Sequence, residues 1–172
     1  MKTVILYATK RGTTHDVAVR IADALADAGI DTVPEILDLK VIEGLPEKLP
    51  DLEACDCVIL GSAVYAGQIR REMRSFLLPL SLPENRAKLE GKRFGIYLCG
   101  LDVAKEEEAF STNFPTELLD MAKAKAFLGG AFDPKTANFV ERTIIKAVAK
   151  TSDSVDTVDE EKIAQFVQEL MV

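Results

Sequence analysis

The sequence is poor in histidine and cysteine, the side chains that most often bind a structural zinc or form disulfides. Its 172 residues include one histidine, three cysteines and no tryptophan. A structural metal site usually needs four ligands, which His15 together with Cys55 and Cys57 cannot supply. The odd number of cysteines, without framework spacing, is typical of a reducing compartment. We therefore predict neither a metal site nor a structural disulfide.

Long apolar runs and an excess of positive charge are also missing. No apolar stretch approaches the roughly 20 residues of a membrane-spanning helix. The first three residues lead directly into a strand-like run rather than into a secretory signal. The net charge of −7 argues against a nucleic-acid partner, because phosphate backbones attract basic proteins. We therefore expect a cytoplasmic protein with no integral membrane segment.

Strand-like and helix-like segments alternate along the chain. Short, nearly continuous apolar runs are typical of strands that are buried on both faces. Such runs occupy residues 3–8, 31–37, 57–61, 94–99 and 126–132. Pro34 interrupts the second run and suggests an edge strand. The length and the 48% hydrophobic content fit a single domain, residues 1–172.

Apolar residues at helical spacing lie between and after these runs. They predict helices near residues 17–28, 69–80, 118–122, 139–148 and 163–170. Thr157 and Glu160 have the spacing of a capping box for the last helix. Residues 102–112 and 151–156 are predicted to be loops. The alternation predicts an α/β fold, a doubly wound parallel sheet with helices on both faces.

The turn after the first strand is rich in hydroxyl and basic side chains. It consists of Thr9, Lys10, Arg11, Gly12, Thr13 and Thr14, which we call the phosphate loop. Strand-to-helix turns at the carboxyl edge of a parallel sheet are common ligand positions. Free N–H groups and the positive dipole at a helix start favour a phosphate. Gly12 lets the backbone approach the anion, and Lys10 and Arg11 add positive charge.

Related phosphate-binding motifs are absent from this turn. It contains neither G-x-G-x-x-G nor G-K-[ST], which argues against a Rossmann NAD site and against a P-loop. The ends of the first and third strands lack the acidic residues of a phospho-receiver domain. An ordinary turn with an N-capping threonine remains the alternative interpretation.

Two further segments are predicted to reach the same sheet edge. The third strand leads into Gly61, Ser62, Ala63, Val64, Tyr65, Ala66 and Gly67, and the fourth ends at Cys99, Gly100 and Leu101. The small residues of the first segment would let a flat ring lie against the backbone, and Tyr65 would stack on the ring or shield it from water. Together with the phosphate loop, these segments converge on one switch point of the sheet.

At these positions the chain resembles the flavodoxins, in which FMN binds at this switch point. The phosphate loop is similar to their motif of a hydroxyl residue, any residue, threonine, glycine, any residue and threonine. It departs at Arg11, where a backbone or guanidinium contact would replace a threonine hydroxyl. Over its full length the chain is most similar to the flavodoxin-domain group that includes the menaquinone-dependent protoporphyrinogen IX dehydrogenases. The resemblance implies five parallel strands in the order 2-1-3-4-5, with FMN bound by the three segments.

The resemblance implies an FMN-dependent oxidoreductase that oxidises protoporphyrinogen IX, or a related substrate, with a quinone as acceptor. A small FMN electron carrier that serves a redox partner protein is the first alternative, which the acidic charge favours. The second alternative is a non-redox module that keeps the fold but binds no flavin. The departure at Arg11 and the lack of tryptophan leave this alternative open. Because a flavin carries the redox chemistry itself, no catalytic side chain is expected.

Several other features permit two interpretations. Arg70, Arg71 and Arg74 would orient an acidic substrate or form a solvated helix face. The basic amphipathic helix near residues 139–148 would pack on the sheet or contact a membrane surface. Residues 102–112 would form a lid, a substrate-selecting element or a docking surface. Cys99 is either an inert buried thiol or a thiol beside the flavin.

Overall fold

The computed structural model describes residues 1–42, 50–150 and 152–172. The strands are β1 (Thr3–Ala8), β2 (Glu35–Asp38), β3 (Cys57–Tyr65), β4 (Gln68–Ile69), β5 (Arg93–Cys99), β6 (Ala124–Phe127), β7 (Ala131–Phe132) and β8 (Val155–Asp156). The helices are α1 (Thr13–Asp27), α2 (Arg71–Leu80), α3 (Pro83–Arg86), α4 (Glu106–Asn113), α5 (Thr116–Met121), α6 (Phe139–Ala149) and α7 (Glu160–Met171).

The main sheet has the predicted parallel order. Its strands follow the order β2-β1-β3-β5-β6, and β4 adds to β3 as a short antiparallel strand. Every residue of β1 is buried, as expected for a strand that is covered on both faces. β2 follows Pro34 and forms one edge of this order, which confirms the inference from that proline. The predicted fold class and strand order are therefore confirmed.

Helices cover both faces of the sheet, and alternate residues of each strand enter different cores. Val4 and Leu6 point into the core formed with Met73 and Phe76 of α2. Ile5 points into the opposite core, which includes Ile21 of α1. This alternation explains why the strands are continuously apolar in sequence. No helix in the described part of the chain is long and apolar enough to span a membrane.

The fifth predicted strand, residues 126–132, is divided in the structure. β6 pairs with β5, whereas β7 pairs antiparallel with β8. Gly129 lies between β6 and β7 with a φ of 85°, a conformation that breaks an extended strand and favours glycine. The prediction of a loop at 151–156 is also wrong for Val155 and Asp156, which form β8, while Thr151 lies outside the described residues.

The predicted loop at residues 102–112 is mostly helical. A short 3-10 turn at Val103–Lys105 leads into α4, which buries Ala109 and Phe110. The side chain of Asn113 ties the end of α4 to the β3–β4 hairpin, because it donates to Gly67 O and accepts from Ile69 N. Three glutamates in the first turn of α4 favour the helix through its dipole.

The predicted capping box before α7 is wrong in its details. Asp159 caps this helix, and its carboxylate accepts from the backbone N–H groups of Glu161 and Lys162. The Thr157 hydroxyl instead accepts from the backbone N–H of Gly130 at 3.1 Å. A complete capping box occurs at the start of α6, where Asn138 and Glu141 bond reciprocally. Thr157 therefore ties β8 to the chain that follows β6.

Candidate functional site

The phosphate loop ends at a helix start that no side chain of the described residues caps. Gly12 is the N-cap residue of α1, with a φ of 96° and no side-chain hydrogen bond to the first turn. A Cβ at this position would meet nothing within 4 Å, so lack of space does not explain the glycine. The left-handed conformation explains it, because residues with a Cβ rarely adopt it. Thr9 Oγ1 accepts from Gly12 N at 3.0 Å and fixes the turn. The free N–H groups of the first turn suit an anion.

Thr14 adds a buried donor to this helix start. Its side chain is buried, and its hydroxyl has no hydrogen-bond partner among the described residues. The Cys99 thiol lies within reach of this hydroxyl, but sulfur is only a weak hydrogen-bond partner. A buried, unpaired hydroxyl is costly, and a phosphate oxygen would satisfy it. On this observation the helix start fits a phosphate-bearing ligand.

The two basic side chains of the phosphate loop bind a carboxylate of the protein itself. Lys10 Nζ and Arg11 Nη2 each donate to the side chain of Glu141 in α6. Arg11 also donates to the carbonyl oxygen of Thr136. These bonds, led by that of Lys10, lower the pKa of Glu141 to about 2. Lys10 and Arg11 therefore connect the phosphate loop to α6 and to the residues just before it.

The second predicted segment is a strand and a hairpin turn rather than a loop. β3 continues to Tyr65 and pairs with β4, so that Val64 faces Ile69 and Tyr65 faces Gln68. Ala66 and Gly67 connect them with φ values of 49° and 76°, the pattern of a type I′ hairpin. Burial raises the pKa of the Tyr65 phenol, and Lys10 Nζ lies 5.4 Å from its ring centroid.

Gly61 and Ser62 have structural roles that the sequence did not indicate. A Cβ on Gly61 would lie 2.0 Å from Cζ of Tyr97, so this glycine makes room for a protein ring rather than for a ligand. The Ser62 hydroxyl accepts from Arg70 N and donates to Ala63 O, both at 3.1 Å. Its hydrogen bonds join β3 to the start of α2.

The third predicted segment packs closely against the chain after β6. Gly100 N donates to Gly129 O at 2.9 Å, and a Cβ on Gly130 would lie within 3 Å of the Gly100 backbone. Burial raises the pKa of the neighbouring Cys99 thiol to about 12. This thiol is therefore protonated at neutral pH and is not a nucleophile.

The three predicted segments surround one cavity of about 340 Å³. Twelve of the fifteen predicted site residues line it, and the three that do not are Lys10, Gly12 and Ser62. The convergence predicted from the strand order is therefore present in the structure. The phosphate loop lies on one side, with the β3–β4 hairpin and the end of β5 around it.

Part of the cavity wall lies outside the three predicted segments, and within this part the sequence indicated a functional role only for residues 102–112. Lys105 and Glu108, at α4, line it, as do Phe132 of β7 and Ile144 and Ile145 of α6. Phe139 and Val140 of α6 are exposed, so the expected packing of that apolar stripe on the sheet is wrong for them. A signal for α4 was available, because three consecutive glutamates suit the first turn of a helix.

The remaining candidate side chains lie outside the cavity lining. Arg70 pairs with Glu72 at 3.4 Å, and Arg74 donates to Gln68 at 3.4 Å. The exposed His15 ring lies 5.4 Å from the ring of Tyr7. Among the described residues, no three histidine, cysteine, aspartate or glutamate side chains form a group that could hold a metal ion.

Comparison with solved structures gives proteins of the same fold. A short-chain flavodoxin associated with a non-canonical PDU bacterial microcompartment matches with a TM-score of 0.62 at 16% identity, over 99% of this chain and 97% of that one. A flavodoxin from the domain Archaea matches with a TM-score of 0.53 at 11% identity, over the full length of both chains.

A larger protein also contains this fold. A flavo di-iron protein from Thermotoga maritima matches with a TM-score of 0.54 at 19% identity. The match covers 99% of this chain but only 35% of that protein. At these identities the likeness shows the fold alone.

The comparisons with protein sequences differ in their outcome. No curated protein gives a significant match. The family model of the flavodoxin domain, in contrast, matches residues 4–158, which is most of the chain. The protein therefore belongs to the flavodoxin domain family.

Proposed function

We propose that this protein binds FMN in the cavity and carries electrons for a redox partner protein. The observation that supports it most directly is the uncapped start of α1 beside the unpaired, buried hydroxyl of Thr14. The backbone N–H groups of that turn and Thr14 would hold the phosphate. Tyr65 and Leu101, which line the same cavity, would border the ring. The bound flavin would accept and donate electrons.

A carrier function agrees with the chemistry of the cavity wall. Cys99 is a protonated thiol, and the only histidine lies outside the cavity lining. The remaining charged residues of the wall are Arg11, Asp102, Lys105, Glu108 and Glu141. Arg11 pairs with Glu141 and Lys105 with Asp102. Electron transfer to a partner needs a bound flavin and a docking surface, but no acid–base pair.

Flavin binding is tested with the purified protein. We expect a yellow preparation that releases FMN on denaturation, and an apo-protein that binds FMN more tightly than riboflavin because of the phosphate. An apo-protein without measurable affinity for FMN would contradict the proposal. If riboflavin binds as tightly as FMN, the phosphate does not contribute to binding.

Oxidation of protoporphyrinogen IX with a quinone acceptor stays a prediction that neither the family match nor the structural neighbours support. A single assay separates it from the carrier function. FMN-loaded protein is incubated with protoporphyrinogen IX and a menaquinone analogue, beside a free-flavin control. Turnover above the control would favour the enzyme, whereas the carrier function predicts none. Electron exchange with a redox protein should instead slow as salt increases.

A further inference from the structure

Glu141 reaches the phosphate loop from a distant part of the sequence. It lies in the first turn of α6, and its carboxylate accepts hydrogen bonds from Lys10 and Arg11. Arg11 also bonds to the backbone of Thr136, just before that helix. Side-chain and backbone contacts thus join the phosphate loop to the start of α6.

The carboxylate is held in place by its own helix. Glu141 Oε2 accepts from Asn138 N at 3.0 Å, and Asn138 Oδ1 accepts from Glu141 N at 2.9 Å. The side chain of Glu141 is only 10% exposed, whereas those of Lys10 and Arg11 are 37% and 23% exposed. A carboxylate fixed in this way loses little entropy when it pairs with the two cations.

These contacts lie where two walls of the cavity meet. Thr13 and Thr14 line the cavity from α1, and Glu141, Ile144 and Ile145 line it from α6. We call residues 131–150, which include β7 and α6, the cover segment. Gly130 immediately precedes this segment. Its carbonyl oxygen accepts from Thr157 N, and its N–H donates to the Thr157 hydroxyl. The Glu141 contacts attach the middle of this segment to the phosphate loop.

We propose that Glu141 is a positioning residue of the cofactor site, which engages Lys10 and Arg11 and thereby holds the cover segment closed over the cavity. The proposal rests on the flavin binding proposed above. Because the carboxylate engages both cations, the phosphate is held by the neutral donors of α1 and by Thr14. A ligand enters or leaves when the Glu141 contacts break.

A cover and a direct phosphate site predict different kinetics. A cover that opens more easily speeds both entry and exit, and it does so for any flavin. Cations that bind the phosphate directly would instead be released by loss of Glu141. FMN would then bind more tightly, and riboflavin, which has no phosphate, would be unaffected.

Stopped-flow fluorescence of the apo-protein mixed with FMN, and separately with riboflavin, distinguishes these cases. For Glu141→Gln we expect the association and dissociation rate constants of both flavins to rise about tenfold, since a charged contact is lost. Glu169→Gln makes the same charge change at an exposed position of α7 and should behave like wild type. Unchanged rates, or tighter binding of FMN alone, would overturn the proposal.

Hydrogen exchange of the apo-protein tests the contact without any flavin. Glutamine can still accept from Asn138 N, so α6 should form in the variant. We expect the amides of residues 139–149 to exchange about tenfold faster in Glu141→Gln, with α1 unchanged. Equal exchange in wild type and variant would refute the cover. If wild type binds no flavin, the proposed function fails while this measurement still decides whether Glu141 holds the cover segment.

Arg11→Gln provides a second, independent variant. It removes the bond of Arg11 to Glu141 and leaves that of Lys10, so both flavins should enter and leave faster, by a smaller factor than in Glu141→Gln. In the double variant the effect of Glu141→Gln should be smaller than in wild type, because the two side chains act through one contact. Fully additive effects would contradict the proposal.

Discussion

Gly61 on β3 and Tyr97 on β5 lie opposite each other in the register of the sheet, and the tyrosine ring fills the space that a side chain at residue 61 would need. The same ring donates a hydrogen bond of 2.8 Å from its hydroxyl to Thr14 O. Because Gly61 leaves room for the Tyr97 ring, the hydroxyl of Tyr97 can reach the first turn of α1 from the central strands.

Gly61→Ala is expected to destabilise the fold, because the new methyl group collides with the buried ring of Tyr97. The free energy of unfolding, measured by urea denaturation, should fall by about 2–3 kcal/mol. Gly91→Ala is a control with open space around its Cβ and a positive φ of 72°, and it should cost about 1 kcal/mol. A smaller loss for Gly61→Ala than for Gly91→Ala would contradict the steric explanation.

Thr14→Val should affect stability and ligand binding differently. Removing a buried, unpaired hydroxyl should leave the free energy of unfolding of the apo-protein unchanged within about 0.5 kcal/mol, or raise it. The affinity for FMN should fall about tenfold because the phosphate loses a donor. Equilibrium titration with FMN and riboflavin checks this, since riboflavin affinity should not change. If Thr14→Val loses affinity equally for FMN and riboflavin, Thr14 does not bind the phosphate.

The ion pairs of Glu141 should contribute to stability in a pH-dependent way. Bonds from Lys10, Asn138 and Arg11 lower its pKa from 4.5 to about 2 in the folded protein. A lowered pKa means that the stabilisation is complete above the unfolded value and is lost as the pH falls from about 4.5 to about 2. Wild type should therefore exceed Glu141→Gln in unfolding free energy at neutral pH, and the difference should shrink in acid.

Urea denaturation of both proteins at about pH 7, 4 and 2.5 measures this difference. All other titrating groups are common to the two proteins, so the difference isolates Glu141. Glu169→Gln, at an exposed site, should show no such dependence. A difference between wild type and Glu141→Gln that stays constant across the range would show that the ion pairs add nothing to stability.

The cysteines are expected to resist thiol reagents in the folded protein. All three are buried and free, and burial raises the pKa values of Cys57 and Cys99 to about 12. Because the thiolate is the reactive form, labelling by a chromogenic disulfide at neutral pH should be slow. All three thiols should react at once in denaturant. Rapid native labelling of Cys99 would show an accessible, ionised thiol in the cavity.

The strands and the three segments of the cavity were predictable because their signals are local. A parallel sheet covered by helices needs continuous apolar runs, and its ligand site follows from the strand order. The hydroxyl-rich phosphate loop has a recognisable composition around Gly12. These features required no knowledge of which distant residues meet.

The partners of these residues were not predictable because they are distant in sequence. Nothing near Lys10 or Arg11 indicates that both bind Glu141, about 130 residues later. The positive charges therefore suggested a phosphate contact, whereas the structure pairs them with a carboxylate. Similarly, Gly61 suggested space for a flat ligand, and the ring that occupies this space is Tyr97. Local composition identifies where a ligand fits, but not which protein groups compete for the same atoms.

The β7–β8 hairpin has a consequence for how this protein can change. Ala131 pairs with Asp156 and Phe132 with Val155, so the two ends of the intervening segment lie side by side. A short turn from Phe132 to Val155 would close the hairpin and leave the order of the main sheet intact. Insertions and deletions between these residues are therefore confined to one side of the cavity. Evolution or protein engineering can exchange this part as a module while the two cores stay unchanged, but Lys10 and Arg11 then lose Glu141 as their partner.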